Sequence, residues 1–291
     1  MIDDTVKARM QLLRGWLSRR LAPDALAWVD EQTARITATP AGLPLARALG
    51  LAPRRVGRGP LQLDEGEMAE TQAVRPGLDP SDWTLDQVAR ILFALASTAA
   101  GEEQFAARLD TLLRSGEIGE QIALYRGLPL YPAPQRLLPL AGEGIRSAMQ
   151  PIYEAVAHRS PYPAENFSEP MWNQMVVKAL FIGSTLAPIQ GLDDRRNADL
   201  ARMLVDYAHE RWAASRDVKP ELWRCVGPFA TSEDDFADLL RVFASDNDTE
   251  RHAAALALSE CPTPDALVLL ESTPELWRDI RNGNLNWETL A

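Results

Sequence analysis

Apolar residues recur at three- and four-residue intervals along most of the chain. No segment alternates apolar and polar residues over a strand length, and this predicts an all-α fold. Residues 3–20 (DDTVKARMQLLRGWLSRR) place Val6, Met10, Leu13, Trp16 and Leu17 at helical spacing with arginines opposite. Acidic residues open this segment and Arg19 and Arg20 close it, as the helix dipole favours. Pro23 suits the first turn of a second helix. A third, residues 42–50, ends at Gly50 ahead of Pro53. Residues 51–80 carry Pro53, Pro60, Pro76 and Pro80 among several glycines and read as a long, irregular surface loop. Helices resume at DPSDWTLDQVARILFALAS, with Ser81 or Asp82 as N-cap, and continue through GEEQFAARLDTLLRSG and EIGEQIALYRGLPLYP. Residues 142–158 read as one helix kinked at Pro151.

The segment 171–182 is apolar on almost every side, the pattern of a fully enclosed helix, and breaks at Gly183, Ser184 and Pro188. A long helix is expected over residues 198–215 and a short one in PELWRCVGPF. From about residue 229 to 291 the helices have a repeat character: SEDDFADLLRVFAS pairs with DTERHAAALALSEC, and TPDALVLLEST with PELWRDIRNG. Residues 251–258 (R-x-A-A-x-x-A-L) resemble the second helix of a HEAT repeat, where alanines permit close stacking. The expected architecture is a single domain over residues 1–291, built of stacked antiparallel helix pairs as a HEAT-like α-solenoid, more regular toward the C-terminus.

Charge removes some function classes. A net charge of −11 argues against a nucleic-acid partner. It is unevenly spread: residues 1–60 carry ten basic and five acidic side chains, and residues 226–291 carry four basic and thirteen acidic. Head-to-tail attraction between such ends is one reading; solubility is the simpler one. Cys225 and Cys261 are far apart without CxxC spacing, which fits a reducing compartment and gives no zinc framework. The start, MIDDTVKARM, lacks a basic region followed by an apolar run, and no apolar stretch approaches a membrane span. A cytoplasmic location is therefore expected.

Unusual residues concentrate in 166–228. Lys178 stands among Val176, Val177, Ala179, Leu180 and Phe181; a buried ammonium needs a partner or a lowered pKa. Asp193, Asp206 and Glu210 are its candidate partners. The alternatives are a catalytic lysine, a structural ion pair and a lysine reaching to solvent. The run 193–197 (DDRRN) is similar to the aspartate-rich box with which all-helical class I terpene and prenyl synthases hold Mg²⁺ and diphosphate. It follows a turn at Gly191, ends in Asn197, and lacks the second metal motif, since Arg251 stands four residues after Asn247. An N-cap role for Asp193, Asp194 or Asn197 is the plainer reading. In DYAHERW, Asp206 and Glu210 share a helix face, with His209 about 100° round. Three histidines without HExxH make no metal site, and an internal polar network over Trp212 is expected instead. Trp172 and Asn173, with Asn166, are candidates to line a pocket. Arg54, Arg55 and Arg58 beside Gly57 and Gly59 read as an anion-binding turn or a solvated basic loop. No serine has GxSxG context.

The segments WNQMVVKALF, GLDDRRN, LVDYAHERWAASRDVKPELWRCVGPF and, upstream, RPGLDPSDWTLDQVARILF resemble the EboA family, over roughly residues 1–260. Such proteins are encoded in bacterial secondary-metabolite clusters beside a prenyltransferase-like membrane protein, a sugar-phosphate cyclase-like enzyme and metal-dependent hydrolase-like proteins. The resemblance implies a helical, HEAT-like fold. It also implies a role in the traffic of a metabolite or its precursor. Since helical-repeat surfaces suit binding and no catalytic constellation is complete, the expectation is a non-enzymatic accessory protein that binds a small metabolite or a partner protein from the same cluster, without a cofactor. It carries no catalytic residues across. The candidates for a shared polar centre are Trp172, Asn173, Lys178, Asp193, Asn197, Asp206, His209, Glu210, Arg211 and Trp223. The alternative is a metal-dependent helical enzyme acting on an anionic or prenylated small molecule through Asp193, Asp194 and Lys178.

Overall fold

Helix follows helix in the computed structural model, which describes residues 2–40 and 43–290. Among those residues there are eighteen α-helices joined by short 3₁₀ turns, and no strand beyond one isolated antiparallel bridge between Pro60 and Thr84. The chain falls into two units, Met1–Ser168 and Glu169–Ala291.

The first unit holds α1 (Asp4–Ser18), α2 (Pro23–Ala38), α3 (Pro44–Val56), α4 (Glu65–Val74) and α5 (Leu85–Ala96). It continues with α6 (Glu102–Ser115), α7 (Ile118–Arg126), α8 (Leu138–Arg146), α9 (Gln150–Ala157) and α10 (Tyr162–Asn166). Its centre is α5, which packs against α1, α2, α3 and α7 and is buried from Val88 to its end. Enclosure on all sides forces its charges to be matched. Buried Arg90 pairs with buried Asp86 at 2.9 Å, and its other donors reach the carbonyls of Leu49 (3.1 Å) and Gly119 (2.9 Å).

That contact with Leu49 explains where the expected loop over residues 51–80 fails. Helix α3 does not stop at Gly50; it runs through Pro53 to Val56. A proline inside a helix leaves the carbonyl four residues earlier without its donor. Here that carbonyl is Leu49's, and the Arg90 guanidinium supplies the missing hydrogen. Arg54 and Arg55 then lie in the last turn of α3, the cation-favouring end of a helix, so they are dipole-matched surface charges and not an anion-binding turn. The start expected for this helix, Gly42, lies outside the described residues.

Helix α4 is the second departure from a loop at 51–80. Asp64 accepts from the Glu67 amide (2.8 Å) while the Glu67 carboxylate accepts from the Asp64 amide (3.0 Å), a reciprocal capping box. Glu67 is 4% exposed and clasped by Arg20 and Arg19. Mainly through Arg20, its carboxyl is pulled down to about 2. Two boundaries also move. The N-cap of α5 is Thr84, in a capping box with Gln87, and not Ser81 or Asp82. Pro151 kinks nothing; it opens α9 after a break that ends α8 at Arg146.

The second unit holds α11 (Glu169–Phe181), α12 (Ala198–Ala213), α13 (Trp223–Val226), α14 (Glu233–Phe243) and α15 (Asp248–Ser259). The remaining helices are α16 (Pro264–Glu271), α17 (Pro274–Arg281) and α18 (Trp287–Leu290). Helix α15 packs on α13, α14, α16, α17 and α18. Its buried face is largely alanine (Ala253, Ala254, Ala255, Ala257), which lets neighbouring backbone come close. A Cβ at Gly227 would lie 2.4 Å from the Ala257 carbonyl oxygen, so only glycine fits there. The succession α14 to α17 is compatible with a helical repeat. Helix α11 is not enclosed: Gln174, Lys178 and Phe181 lie on its outer side, and Phe181 is 71% exposed. No helix among the described residues is long and apolar enough to cross a membrane.

Candidate functional site

Helices α11 and α12 meet through two asparagines. Asn173 is buried and faces Asn197, which caps α12 by accepting from the Leu200 amide at 2.9 Å. Their side-chain amides pair reciprocally, Asn173 donating to Asn197 (3.1 Å) and Asn197 to Asn173 (2.9 Å). A second hydrogen from Asn197 goes to the Arg195 carbonyl (3.2 Å). Neutral donors and acceptors thus satisfy one another without a charge. Trp172, fully buried, carries the Arg195 guanidinium over its ring at 4.6 Å, and its indole N–H has no acceptor among the described residues. Burial lowers the pKa of Arg195.

The rest of the DDRRN run closes a network of ion pairs. Asp193 takes both prongs of the Arg224 guanidinium, at 2.8 and 2.7 Å. Arg196 lies near the same carboxylate (3.6 Å), pairs with Glu260 at 2.8 Å, and donates to the Arg224 carbonyl at 2.8 Å. Arg224 is 11% exposed and Arg196 13%, so both guanidinium groups work in largely dehydrated surroundings. The pair with Arg224 holds the Asp193 carboxyl below its ordinary value. Cys225, enclosed beneath the network, is pushed up to about 12 by burial and is an unreactive thiol at neutral pH. Asp194 stays exposed.

The expected union of Lys178 with Asp206 and Glu210 does not form. Asp206, His209 and Glu210 are exposed on α12, while the Lys178 ammonium lies over the Phe181 ring, 5.4 Å from its centre. Lys178 sits four residues after Gln174 and three before Phe181, on the solvent side of α11. His209 meets Asp238 at 2.6 Å instead. Arg211 donates to the Asp217 carbonyl (3.0 Å). Trp212 stacks on buried Trp223 (5.8 Å, 24°), with the Arg241 guanidinium over the Trp212 ring at 4.0 Å and the His209 ring at 5.7 Å. This column ties α12 to α13 and α14 by ring and cation contacts. Among the described residues, no three His, Cys, Asp or Glu side chains gather as a metal site would need.

Hollows occur where no local motif marks them. In the first unit a groove of about 550 Å³ is floored by Met10, Leu92 and Ala99 and rimmed by Lys7, Arg14 and Asp30. A separate cleft of about 420 Å³ gathers Arg9, Arg75, Tyr162 and Glu165 with Pro129, Pro132 and Pro134. These residues are up to 156 positions apart in the chain, so no motif marks them.

With the geometry in place, comparison with known proteins adds one decisive match. The family model described as "Metabolite traffic protein EboA" matches residues 9–227. The chain belongs to the EboA family. The EboA match takes in the α11–α12 joint and, from Arg9 onward, most of the cleft, and it ends before α14. No curated protein and no solved structure matches the chain.

Proposed function

We propose that this EboA protein is a non-enzymatic, cytoplasmic accessory protein of a secondary-metabolite cluster. It handles a metabolite or its precursor by binding it, or by binding a partner protein of the same cluster. The family's description as metabolite traffic proteins supports the general role. The observation that carries the non-enzymatic reading is the state of Asp193. Its carboxylate is bound bidentately by Arg224 and approached by Arg196, so a metal ion there would have to displace two guanidinium groups. Lys178, turned to the face of Phe181, lies outside that network. Within the polar centre we assign Trp172, Asn173, Asp193, Asn197 and Trp223 to holding the surface in shape. The exposed side chains Asp206, His209 and Glu210 and the half-buried Arg211 on α12, and separately Lys178 on α11, are the candidate contacts for a partner.

The test is the metabolite inventory of the host after deletion of the gene. The accessory reading expects the cluster's own metabolite to keep its structure while its distribution between cell interior, envelope and medium changes. A build-up of a chemically distinct intermediate, reversed by the wild-type gene and not by an Asp194→Ala variant that keeps the wild-type melting midpoint, would establish the enzymatic alternative instead.

A further inference from the structure

The arginines of the first unit are not all employed alike. Arg75 is fully committed: its Nε donates to the Pro129 carbonyl (2.7 Å), one terminal nitrogen to the Pro76 carbonyl (3.1 Å), and both terminal nitrogens to Glu165. Arg9 lines the same cleft and is not committed. It donates once, to the Leu130 carbonyl at 2.9 Å. Its Nε is buried with no acceptor, and among the described residues no carboxylate lies within ion-pair distance of it. Burial first, and then the like charge of Arg75, lowers the pKa of Arg9, while the more distant charges of Asp3 and Glu165 act in the opposite direction. A guanidinium in that position is short of hydrogen-bond acceptors, and its nearest carboxylates act on it only from beyond ion-pair distance.

We propose that the cleft bounded by Arg9, Arg75 and the proline wall binds a small monocarboxylate with an apolar or aromatic body, the carboxylate accepting from Arg9. The volume, about 420 Å³, falls in the range of small-molecule sites. Pro129, Pro132 and Pro134 supply a stiff wall without amide donors, beside Val6 and Leu128. The Tyr162 hydroxyl donates its hydrogen to the Pro134 carbonyl (2.7 Å) and so does not compete with Arg9 for an anion. Asp3, Glu102 and Glu165 also line the cleft and set the charge selectivity. Any anion there meets these three carboxylates along with Arg9 and Arg75, and the repulsion grows with the ligand's charge, so one negative charge is favoured over two. This assignment rests on the proposed metabolite-binding role and gives it a place and a ligand class.

The test is calorimetric or NMR titration of the full-length protein at fixed ionic strength with phenylacetate, its neutral isostere phenylacetamide, and phenyl phosphate. Phenylacetate is expected to saturate with a Kd below about 1 mM, and the amide to bind about tenfold more weakly or less. Phenyl phosphate is expected to be the weaker of the two anions. Arg9→Gln should bring phenylacetate to the level of the amide. Arg9→Lys, which keeps the charge and loses the fork, should fall between. Thermal melts of both variants check that the fold is retained. Equal binding of acid and amide, absence of saturation by phenylacetate, preference for the phosphate, or full affinity in Arg9→Gln would each overturn the assignment. Such a failure removes the cleft and leaves the metabolite-inventory experiment untouched, so the two proposals fall separately.

Discussion

Arg224 and Arg9 are both largely removed from water, yet they lead opposite lives. Arg224 spends its donors on Asp193 and lies toward Glu288 (3.4 Å) and the Trp287 ring (6.0 Å). Arg9 has one backbone carbonyl and an orphan Nε. A guanidinium whose acceptors come from its own chain is spent on structure. One with a buried, unmatched donor carries a cost that matching its remaining donors would offset. The difference also separates the two regions. The stretch 166–228 holds most of the residues that attract attention in the sequence, and there Asn173, Asp193, Asn197 and Arg224 are matched within the chain while Lys178, Asp206 and Glu210 stand apart from them. The cleft of the first unit draws no attention in the sequence and keeps donors in reserve.

The comparison is most exposed to Arg224→Met. Loss of two charged hydrogen bonds from a dehydrated position is expected to cost about 2–3 kcal/mol, moderated because Asp193 is 45% exposed and can be rehydrated. Chemical denaturation would read this as a lower midpoint at unchanged slope. A neutral outcome would mean that the DDRRN network is ornamental and free for another use. Next is Asn173→Leu, which leaves the cap of α12 in place but removes the reciprocal amide; about 1–2 kcal/mol is expected by the same measurement.

Acid sharpens the contrast in another way. Glu67 has a folded value of about 2 against an ordinary 4.5, so its contribution is fully present above pH 4.5 and is lost as pH falls toward about 2. Asp193 is shifted in the same direction and adds to the loss on the acid side. Glu67→Gln should therefore lower stability at neutral pH and show a flatter decline in acid than the wild type, followed by thermal melts over that range. The smallest effect belongs to Lys178→Met, expected within about 0.5 kcal/mol of wild type, since the ammonium lies on the outer side of α11. A large loss would restore the buried ion pair that the apolar neighbours of Lys178 suggest.

Much of this was legible in the chain and some was not, for identifiable reasons. The all-helical fold followed from spacing, and Asn197 as N-cap from its residue type and place. Lys178 misled because exposed Phe181 extends the apolar run; read by face, Gln174, Lys178 and Phe181 fall together on the outer side. Helix α4 carried a readable signal in Asp64 and Glu67, three apart, which the surrounding prolines and glycines outweighed. The passage of α3 through Pro53 was not legible, because the Arg90 that satisfies Leu49 lies 41 residues away. The same holds for the cleft: Arg9 and Glu165 come together only through the tertiary fold. Among the site candidates, Asn173 and Asn197 are joined directly, whereas Lys178, Asp206 and Glu210 are not.

One parallel measurement bears directly on the central claim that the joint is structural and the cleft is for a ligand. Arg9→Gln and Arg224→Gln would be compared with wild type for thermal midpoint and for phenylacetate affinity. The account predicts a crossed result: Arg9→Gln loses affinity by about tenfold with its midpoint nearly kept, and Arg224→Gln loses midpoint with its affinity kept. Loss of affinity in Arg224→Gln at an unchanged midpoint, with Arg9→Gln binding as wild type, would contradict it and return the functional centre to the DDRRN turn.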